Sequence, residues 1–413
     1  METLVANQES VKVGIIGAGA IAKGTAALLC RAGHDPMIWS PSGKATDAYS
    51  NHQYHQVQLI ATGAIQLESS IRIAQTAQEL VAENDVLVFA LPANGHKKVF
   101  EDLAPFVRSD QPLIISSHSS LGALYLSQLL QQHRRKGPTS TTPCITAWGT
   151  TVCTARSTAP LLLEESVEAQ GPMMMMVRIN TIRENVDTCT IPSTLQEPAT
   201  QLCKHLFTSN RSNDQIIEFR PRQGLLAISL SNLNPQNHLG IALGNISRME
   251  KGETWYQFEN VTPTIGRFLE QLDQERLEIA KELDLEVKTI FEHFSQSFHV
   301  PVTDSISDMN QVIHTDGNDV HGPATVDSRY VTEDVPFGLV LVIVLGDLVG
   351  KPAMLHRSGL QILSAMYARD FMNENDLLQV LDLTSYQLQE LKEAALSGNL
   401  KTVIKAKSKS NSI

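Results

Sequence analysis

Residues 11–22 read VKVGIIGAGAIA, and this stretch decides the fold of the first part of the chain. A short apolar run leads into two glycines, Gly17 and Gly19, and helix-forming residues follow them. Gly17 permits a tight turn, while Gly19 has no side chain to obstruct a pyrophosphate at the start of the helix. The pattern therefore predicts a dinucleotide-binding βα unit, with an ordinary βα turn as the alternative. The expected cofactor-binding residues of this loop are Gly17, Gly19, Ala20, Ile21 and Ala22.

Further apolar runs continue the same architecture. Runs with the length of buried strands follow at residues 36–39, 85–92, 113–117 and 173–179. A helix-forming segment separates the first two strands, as in a doubly wound α/β sheet of Rossmann type. The four consecutive methionines in the last run are expected to fill the core, and no metal site is expected.

The end of the second strand bears on the choice of nicotinamide cofactor. Sites for NAD place Asp or Glu about 20 residues beyond the glycines, where the carboxylate binds the ribose 2′-hydroxyl. This chain has WSPSGK at residues 39–44, with no carboxylate to repel a 2′-phosphate. Ser40, Ser42 and Lys44 are the expected phosphate ligands, so NADP(H) is favoured over NAD(H), which remains an option. An ordinary turn with a solvated lysine is the alternative.

Composition and charge exclude several classes of protein. The chain has 413 residues, 42% of them hydrophobic, which suits two domains with separate cores. A formal net charge of -11 disfavours nucleic-acid binding. Five cysteines without a Cys-x-x-Cys pair indicate reduced thiols rather than disulfides or a zinc site. The longest apolar run, residues 335–345, is too short to span a membrane, so a cytoplasmic protein without a membrane partner is expected.

The character of the sequence changes near residue 210. Strand signals become sparse there, and the polar segment 208–213 has the composition of a linker. We therefore divide the chain into a Rossmann domain at residues 1–210 and a mostly α-helical domain at residues 211–413, with the chemistry in the cleft between them. The oligomeric state is left open, with a homodimer as one option. Helical periodicity is expected at residues 235–249, 263–283, 336–349, 360–371 and 375–396.

The first candidate catalytic cluster is SNLNPQNH at residues 231–238. Asn234 is placed to cap a helix that starts at Pro235, and His238 lies one turn into that helix. An imidazole titrates near neutral pH, so His238 on a rigid helix suits general acid–base catalysis. A packed structural histidine is the alternative, which a catalytic partner would disfavour.

The second cluster is SRYVTEDVP at residues 328–336. Thr332 has the pattern of an N-cap, which puts Glu333 and Asp334 in the first turn of a helix. The helix dipole stabilises a carboxylate there, so Asp334 is suited to orient an imidazole. Arg329, just before this helix, is suited to bind a substrate carboxylate through two hydrogen bonds. The alternative is that Glu333 and Asp334 are ordinary first-turn acids and that Arg329 forms a surface ion pair.

Three elements together resemble one family. They are the GAGAIA loop at residues 17–22, Asn-Pro-x-x-His at residues 234–238, and Arg-Tyr-x-x-Glu-Asp-x-Pro at residues 329–336. The combination is similar to that of the opine dehydrogenases, the octopine and nopaline dehydrogenase group, and it covers most of the chain. The resemblance implies that an amino acid condenses with a 2-oxo acid such as pyruvate or 2-oxoglutarate. NAD(P)H then reduces the resulting imine to a secondary-amine dicarboxylate.

The resemblance also implies roles for individual residues. His238 is then the general acid–base residue, Asp334 its partner and Arg329 the anchor of the oxo-acid carboxylate. The family's loop after the fourth strand, which contacts the cofactor, corresponds here to Leu91, Pro92 and His96. The residues expected to line the substrate pocket are His118, Thr150 and Asn234.

Two other functions fit parts of the sequence. One is a reductase of the same architecture that acts on ketopantoate, glycerol phosphate or another hydroxy acid. Such enzymes typically use a catalytic lysine, and no lysine of the helical domain is placed as well as His238. The other is a non-catalytic nucleotide-sensing protein, which would keep the glycines but has no reason to keep His238, Arg329 and Asp334 together. Turnover that depends on both an amino acid and an oxo acid favours the opine dehydrogenase hypothesis.

Overall fold

The computed structural model describes residues 10–43, 56–134, 144–158, 174–209 and 216–400. Lys44 and the predicted domain boundary at residue 210 lie outside these ranges. Within them, the chain begins as an α/β domain and continues as a bundle of helices. The fold class predicted from the sequence is confirmed.

The strands of the described residues form one mixed sheet of eleven. Its centre is parallel, because the first strand pairs in parallel with the second on one side and with the fifth on the other. In chain order the strands are β1 (Lys12–Ile16), β2 (Asp35–Trp39), β3 (Gln56–Gly63), β4 (Leu67–Ile73), β5 (Val86–Phe89), β6 (Leu113–Ser116), β7 (Ile145–Trp148), β8 (Cys153–Thr158), β9 (Met174–Ile182), β10 (Asn185–Ile191) and β11 (Glu218–Pro221). Their order across the sheet is β11-β10-β7-β6-β5-β1-β2-β4-β3-β9-β8.

Burial explains the continuous apolar runs of the sequence. β5, β6 and β7 are buried along their whole length, as is typical of parallel strands covered on both faces. The carboxyl ends of β1, β2 and β5 come together at one edge, where the register pairs Ile16 with Trp39 and with Phe89. The helices of this part are α1 (Ala20–Ala32), α2 (Ala77–Glu83), α3 (His96–Leu103), α4 (Gly122–Arg134) and α5 (Gln196–Phe207).

The sheet curves around α1. β8 follows β7 after residues 149–152 only, yet the two strands are far apart in the strand order. The hairpin of β8 and β9 reaches α1, where a Cβ on Gly24 would stand 2.9 Å from the Sγ of Cys153. Gly24 therefore allows the hairpin to pack against the helix that begins at the dinucleotide loop.

The second part of the described chain is helical. Its helices are α6 (Gly224–Leu230), α7 (Asn234–Glu250), α8 (Pro263–Glu282), α9 (Ile290–Phe298), α10 (Ile306–Thr315), α11 (Arg329–Thr332), α12 (Val340–Leu348), α13 (Met354–Tyr367), α14 (Asp376–Leu381) and α15 (Leu388–Ser397). A π-helical turn, Val335–Leu339, leads into α12, whose apolar residues are mostly buried. Short 3₁₀ helices occur at Ala93–Gly95, Ser193–Leu195, Phe371–Asn373 and Leu383–Ser385. Nowhere in the described ranges does a helix have the length and apolar character that a membrane span requires.

β11 follows residue 210 and joins the sheet, because it pairs in parallel with β10. Two helix boundaries differ from those expected. The helix expected at residues 375–396 is interrupted, since Asp382 adopts a left-handed backbone with φ of 46° and ends α14. The helix expected at residues 360–371 corresponds to α13, which begins at Met354 and ends at Tyr367.

Candidate active site

The dinucleotide loop has the geometry that its glycines predict. Gly17 has a φ of 122°, and its N–H donates to the Trp39 carbonyl at 2.8 Å. A Cβ on Gly17 would stand 2.3 Å from the Ala90 carbonyl oxygen, so a larger residue cannot occupy this turn. Gly19 precedes α1, and the position of its missing Cβ has no described atom within 4 Å. The loop therefore offers an open concavity at the N-terminus of α1, which fits a pyrophosphate.

The other residues predicted to bind the cofactor near α1 and β2 lie at the same edge. Ala20 and Ile21 are partly exposed in the first turn of α1, and Ala22 is buried beneath them. Ser40 follows β2 directly and is buried, with its Oγ 3.5 Å from the Oγ of Ser42. This part of the edge is polar and carries no acidic side chain between residues 40 and 43.

A buried histidine supports the loop after β5. Leu91 and Pro92 follow the strand, and a short helix then leads into α3 at His96. The His96 ring is fully buried, and its Nε2 donates to the Leu91 carbonyl at 3.1 Å. Burial lowers the pKa of His96 to about 4, so the ring is neutral at pH 7. His96 therefore holds the loop from beneath, and the cofactor contact that the resemblance implied for it stays a prediction.

His118 is buried as well. Its side chain has no exposed surface, and neither ring nitrogen has a hydrogen-bond partner among the described residues. Burial, with a smaller effect from nearby His96, lowers the pKa of His118 to about 3. The substrate contact expected of His118 stays a prediction, and it would require this buried ring to become accessible.

Thr150 lies where the two parts of the chain approach closely. It follows β7 and is largely buried. At the preceding residue, a Cβ on Gly149 would stand 2.7 Å from the Ile228 carbonyl oxygen and 3.3 Å from the Cβ of Asn232. The loop that carries Thr150 therefore touches the segment leading into α7, and the place of Thr150 in the substrate pocket stays a prediction.

The start of α7 differs from the prediction in one residue. Asn234 is the first helical residue and not the cap, because its own N–H donates to the Oδ1 of Asn232 at 3.2 Å. Asn232 therefore supplies the side-chain acceptor that was expected from Asn234. Pro235 lies in the first turn, and His238 follows one turn later, as predicted.

His238 and Asp334 form a hydrogen-bonded pair. The Nδ1 of His238 lies 2.7 Å from the Oδ2 of Asp334, and the two side chains are only 17% and 18% exposed. The Tyr330 ring stacks on the imidazole, with ring centroids 3.6 Å apart and planes 8° from parallel. Because the carboxylate engages Nδ1, the Nε2 atom is the one left for proton exchange with a substrate. The structure thus brings together the two residues that the sequence placed on separate helices.

The helical segment that carries Asp334 starts earlier than predicted. Ser328 is the N-cap, since its Oγ accepts from the Tyr330 N–H at 3.3 Å. Thr332 is not a cap but lies inside the helix, where its hydroxyl donates to the Ser328 carbonyl at 3.1 Å. Arg329 is consequently the first residue of α11 rather than a residue before the helix, and Asp334 lies one turn further along than expected.

Close packing sets the spacing of the pair. Gly338 lies in the π-helical turn just after Asp334 and contacts the start of α7. A Cβ on Gly338 would stand 2.1 Å from the Cγ of Pro235, so the two segments approach closely only because no side chain is present. Pro235 precedes His238 by about one turn, and Gly338 follows Asp334 by about one turn. This contact therefore fixes the separation of imidazole and carboxylate.

Side chains from two loops hold the same π-helical turn. The hydroxyls of Ser119 and Ser120, in the loop after β6, both donate to the Phe337 carbonyl at 2.5 Å. Asn375 donates to the Pro336 carbonyl and to the Oγ of Ser120, each at 2.8 Å. A π-turn interrupts regular α-helical hydrogen bonding, and these side chains give two of its carbonyls a partner. This network could not be predicted from the sequence, because isolated serines in a loop have no distinctive pattern.

Glu333 connects Arg329 to the loop after β5. One carboxylate oxygen accepts from the Nε of Arg329 at 2.5 Å, and the other accepts from the Ala93 N–H at 2.9 Å. The Glu333 side chain is 10% exposed, whereas that of Arg329 is 67% exposed. The sequence indicated Glu333 only as a first-turn acid. Its bridging position could not be inferred, because the contact to Ala93 is remote in sequence.

The two parts of the chain match two families of dehydrogenases. Residues 221–367 match the family described as NAD/NADP octopine/nopaline dehydrogenase, alpha-helical domain. The helical part of the chain is thus similar to that of the opine dehydrogenases. Residues 12–128 match the family described as NAD-dependent glycerol-3-phosphate dehydrogenase N-terminus. The resemblance found in the sequence is confirmed, and the protein is an NAD(P)-dependent oxidoreductase that acts on CH–NH groups.

Relatives of known name match different lengths of the chain. An opine dehydrogenase from Arthrobacter sp. (strain 1C) is 25% identical over 320 residues, which is 76% of this chain and 79% of the relative. A glycerol-3-phosphate dehydrogenase from Agathobacter rectalis is 29% identical over 103 residues, which is 25% of this chain and 30% of the relative. The glycerol phosphate alternative thus finds support over a quarter of the chain only.

Solved structures show the same fold. An octopine dehydrogenase with NADH and L-arginine gives a TM-score of 0.68 at 13% identity, over 94% of this chain and 98% of the other. A yersinopine dehydrogenase with NADP+ bound gives 0.61 at 14% identity, over 94% and 98%. A ketopantoate reductase from Ralstonia eutropha JMP134 gives 0.51 at 13% identity, over 86% and 97%. At these identities the likeness concerns the fold, which the ketopantoate reductase shares in broad outline.

Proposed function

We propose that the protein condenses an amino acid with a 2-oxo acid and reduces the resulting imine with NAD(P)H to a secondary-amine dicarboxylate. The observation that carries this proposal is the His238–Asp334 pair, with 2.7 Å between Nδ1 and Oδ2. Asp334 lies on the same segment as Arg329. The reaction removes water from one intermediate and yields an amine that is protonated at neutral pH. A proton-exchanging residue near a carboxylate anchor suits both requirements.

The carboxyl edge of the sheet fits a nicotinamide dinucleotide. Gly17 and Gly19 would hold the pyrophosphate at the open N-terminus of α1. When bound, the reduced nicotinamide supplies the hydride that reduces the imine carbon. A preference for NADP(H) is part of the proposal, because Ser40 and Ser42 stand after β2, where NAD-binding chains carry Asp or Glu.

His238 moves the protons in this scheme. Its Nε2 donates a proton to the hydroxyl of the carbinolamine, which leaves as water while the carbon–nitrogen double bond forms. Asp334 stabilises the imidazolium through Nδ1 and keeps Nε2 directed away from itself. Tyr330 covers one face of the ring, so the imidazole is held in this orientation. The neutral ring left after water loss takes up a proton from solvent and passes it to the secondary amine that hydride transfer forms, and the ammonium group of the next amino acid protonates the ring again.

Arg329 holds the carboxylate of the oxo acid. Glu333 engages its Nε, which leaves the two terminal nitrogens of the guanidinium as donors for a bidentate contact. The side chain is 67% exposed and therefore accessible to a substrate. Anchoring the carboxylate orients the adjacent carbonyl carbon relative to His238, and orientation of this kind lowers a reaction barrier by several kcal/mol.

A substrate matrix with measurement of product mass tests the proposal. The purified protein receives NADPH or NADH with pyruvate or 2-oxoglutarate, each with and without a panel of amino acids. We expect nucleotide oxidation to require both substrates, and the product to have the mass of the two substrates plus two hydrogens minus water. Oxidation with the oxo acid alone would indicate a hydroxy-acid dehydrogenase. Nucleotide binding without turnover of any pair would indicate a nucleotide-sensing protein.

A further inference from the structure

A cavity of about 840 Å³ lies between the β8–β9 hairpin and the helical part of the chain. Arg156 on β8 and Arg178 on β9 line one side of it. Tyr330 lines the cavity from the helical side, and the same ring stacks on His238. The cavity therefore lies immediately beside the proposed acid–base pair.

The two arginines are direct cross-strand partners. Arg156 pairs with Arg178 in the antiparallel register of β8 and β9, so both side chains project from the same face of the hairpin. Both are exposed, and within the described ranges neither forms an ion pair. Like charges placed opposite each other repel and destabilise a strand pair. An anion bound between the two guanidinium groups would remove that repulsion.

The cavity wall does not itself supply the anion. Asp319 is the acidic residue of the described wall, and its side chain is only 4% exposed. Its carboxylate is already occupied by hydrogen bonds from the N–H groups of Phe258, Glu259 and Val320 and by the Nδ1 of His314. Because this charge is satisfied within the helical part, the guanidinium groups give the cavity an excess of positive charge.

We propose that Arg156 and Arg178 bind a further, side-chain carboxylate of one substrate, beyond the α-carboxylates that every oxo acid and amino acid carries. This inference rests on the proposed function, in which Arg329 holds the carboxylate next to the carbon that is reduced. Guanidinium groups bind carboxylates through paired, charge-assisted hydrogen bonds. Tyr256 and His321, stacked with ring centroids 4.8 Å apart, give the wall an aromatic surface for the intervening carbon chain. The preferred substrate is therefore dicarboxylic, either as the oxo acid, as in 2-oxoglutarate, or as the amino acid, as in glutamate.

Steady-state kinetics with the double variant Arg156→Gln/Arg178→Gln test the proposal and identify the source of the carboxylate. One arm compares kcat/KM for 2-oxoglutarate and pyruvate with a neutral amino acid, and the other compares glutamate and glutamine with pyruvate. We expect the wild type to prefer the dicarboxylic substrate in one arm. The double variant should lose that preference by roughly tenfold or more, through KM, and keep its activity with the monocarboxylic substrates.

Arg220→Gln is the matched control, because Arg220 lies on β11, away from the cavity, in an exposed ion pair with Glu218. It should keep the wild-type preference. A wild type without preference in either arm, or a preference that survives in the double variant, would overturn the proposal. Thermal denaturation verifies folding, and the double variant should melt no lower than the wild type, since two opposed like charges are removed.

Binding of glutarate provides a readout that does not depend on turnover. Glutarate carries two carboxylates and butyrate carries one, and neither has a reactive carbonyl. We expect calorimetry to show tighter binding of glutarate than of butyrate to the wild type, and equal weak binding of both to the double variant. This result would support the site even if no substrate pair were converted. Failure of the proposed function can therefore be distinguished from failure of the carboxylate site. Equal affinities for the two acids in the wild type would refute the site.

Discussion

The Glu333 carboxylate accepts a hydrogen bond from the Ala93 N–H at 2.9 Å, although 240 positions separate the two residues along the chain. Ala93 begins the short helix after β5, at the edge of the sheet that carries the dinucleotide loop. The other oxygen of Glu333 holds the Nε of Arg329. One carboxylate thus joins the loop expected to face the cofactor to the residue proposed to anchor the oxo acid.

Replacing Glu333 by glutamine tests this connection. The amide oxygen of Glu333→Gln can still accept from Ala93, but the neutral side chain releases Arg329 from its ion pair. We expect the KM for the oxo acid to rise by roughly 3- to 10-fold with a smaller change in kcat, because the guanidinium loses its fixed orientation. Glu374→Gln, which breaks the pair with Arg369, is the control and should leave the kinetics unchanged. An effect confined to the KM for NADPH would assign Glu333 to cofactor binding instead.

His238 and Asp334 should act as one unit in proton transfer. His238→Ala is expected to lower turnover by about 100-fold or more, the range for a lost general acid–base residue, while NADPH binding persists. Asp334→Asn should also lower turnover, because the imidazolium loses its carboxylate. The double variant should lose much less than the product of the two single effects. Multiplicative losses in variants with unchanged circular dichroism would show that the residues act independently.

A second histidine–carboxylate pair serves as the control for that experiment. The Nδ1 of His356 lies 2.9 Å from the Oε2 of Glu275, where α13 packs against α8. Glu275→Gln removes a charge from a comparable hydrogen bond and should lower the melting temperature while kcat stays close to that of the wild type. A large loss of turnover in this control would mean that the effect of Asp334→Asn reflects helix packing.

Gly338 should not tolerate even one methyl group. The Cβ of Gly338→Ala would stand 2.1 Å from the Cγ of Pro235, so the π-helical turn and α7 must separate. We expect a loss of about 1–3 kcal/mol in the free energy of unfolding and a fall in kcat of roughly tenfold or more, as the His238–Asp334 distance grows. Gly244→Ala, also on α7, meets only the Ile265 side chain, at 2.3 Å from its Cδ1 and 2.8 Å from its Cγ1, and should keep its turnover. Wild-type kcat in Gly338→Ala would show that this contact does not set the distance.

Cofactor preference should follow from the turn after β2. We expect kcat/KM with NADPH to exceed that with NADH in the wild type. Ser40→Asp places a carboxylate where a 2′-phosphate would bind, and it should move the preference toward NADH. Ser40→Asn has similar size without the charge, so it should keep NADPH as the better cofactor. A wild type that clearly favours NADH would contradict this prediction.

Two buried histidines should make stability depend on pH. Burial lowers the pKa of His96 to about 4 and that of His118 to about 3, whereas the ordinary value is 6.5. The associated stability is therefore complete above pH 6.5 and is lost as the pH falls toward the folded-state values, by about 1.4 kcal/mol per histidine per pH unit. In urea unfolding between pH 6.5 and 5, His118→Leu should show a shallower dependence than the wild type. His133→Leu, which replaces an exposed histidine, is the control. If stability depended on pH with the same slope in His118→Leu and in His133→Leu, the prediction for His118 would be wrong.

Features that depend on neighbouring residues could be predicted from the sequence. The turn at Gly17 and the open position at Gly19 follow from a local motif, and the place of His238 on α7 follows from the proline that opens the helix. The partnership with Asp334 needed more than local pattern, since 96 positions separate the two residues. The prediction of this pair depends on the family resemblance and on the requirement that a second group hold a catalytic imidazole.

The features that were missed depend on contacts between distant segments. Thr332 has the chemistry of a cap, but Ser328 four residues earlier takes that role, and the sequence offers no means of ranking the two. Asp382 ends a helix without a glycine or proline, because its own backbone adopts the left-handed region. Arg156 and Arg178 meet only through the antiparallel register of β8 and β9, which shifts by one residue between Thr154 and Ala155.

Asp334 has its orientation because of the length of the π-helical turn. A π-turn contains one residue more than the α-turn it replaces, and each residue rotates an α-helix by about 100°. The residues before Val335–Leu339 are therefore turned relative to α12, compared with an uninterrupted helix. Removing one residue from the turn would leave α12 in the core and rotate Asp334 away from His238. Deletion of a single codon within this turn would thus abolish the pair without altering either of its residues.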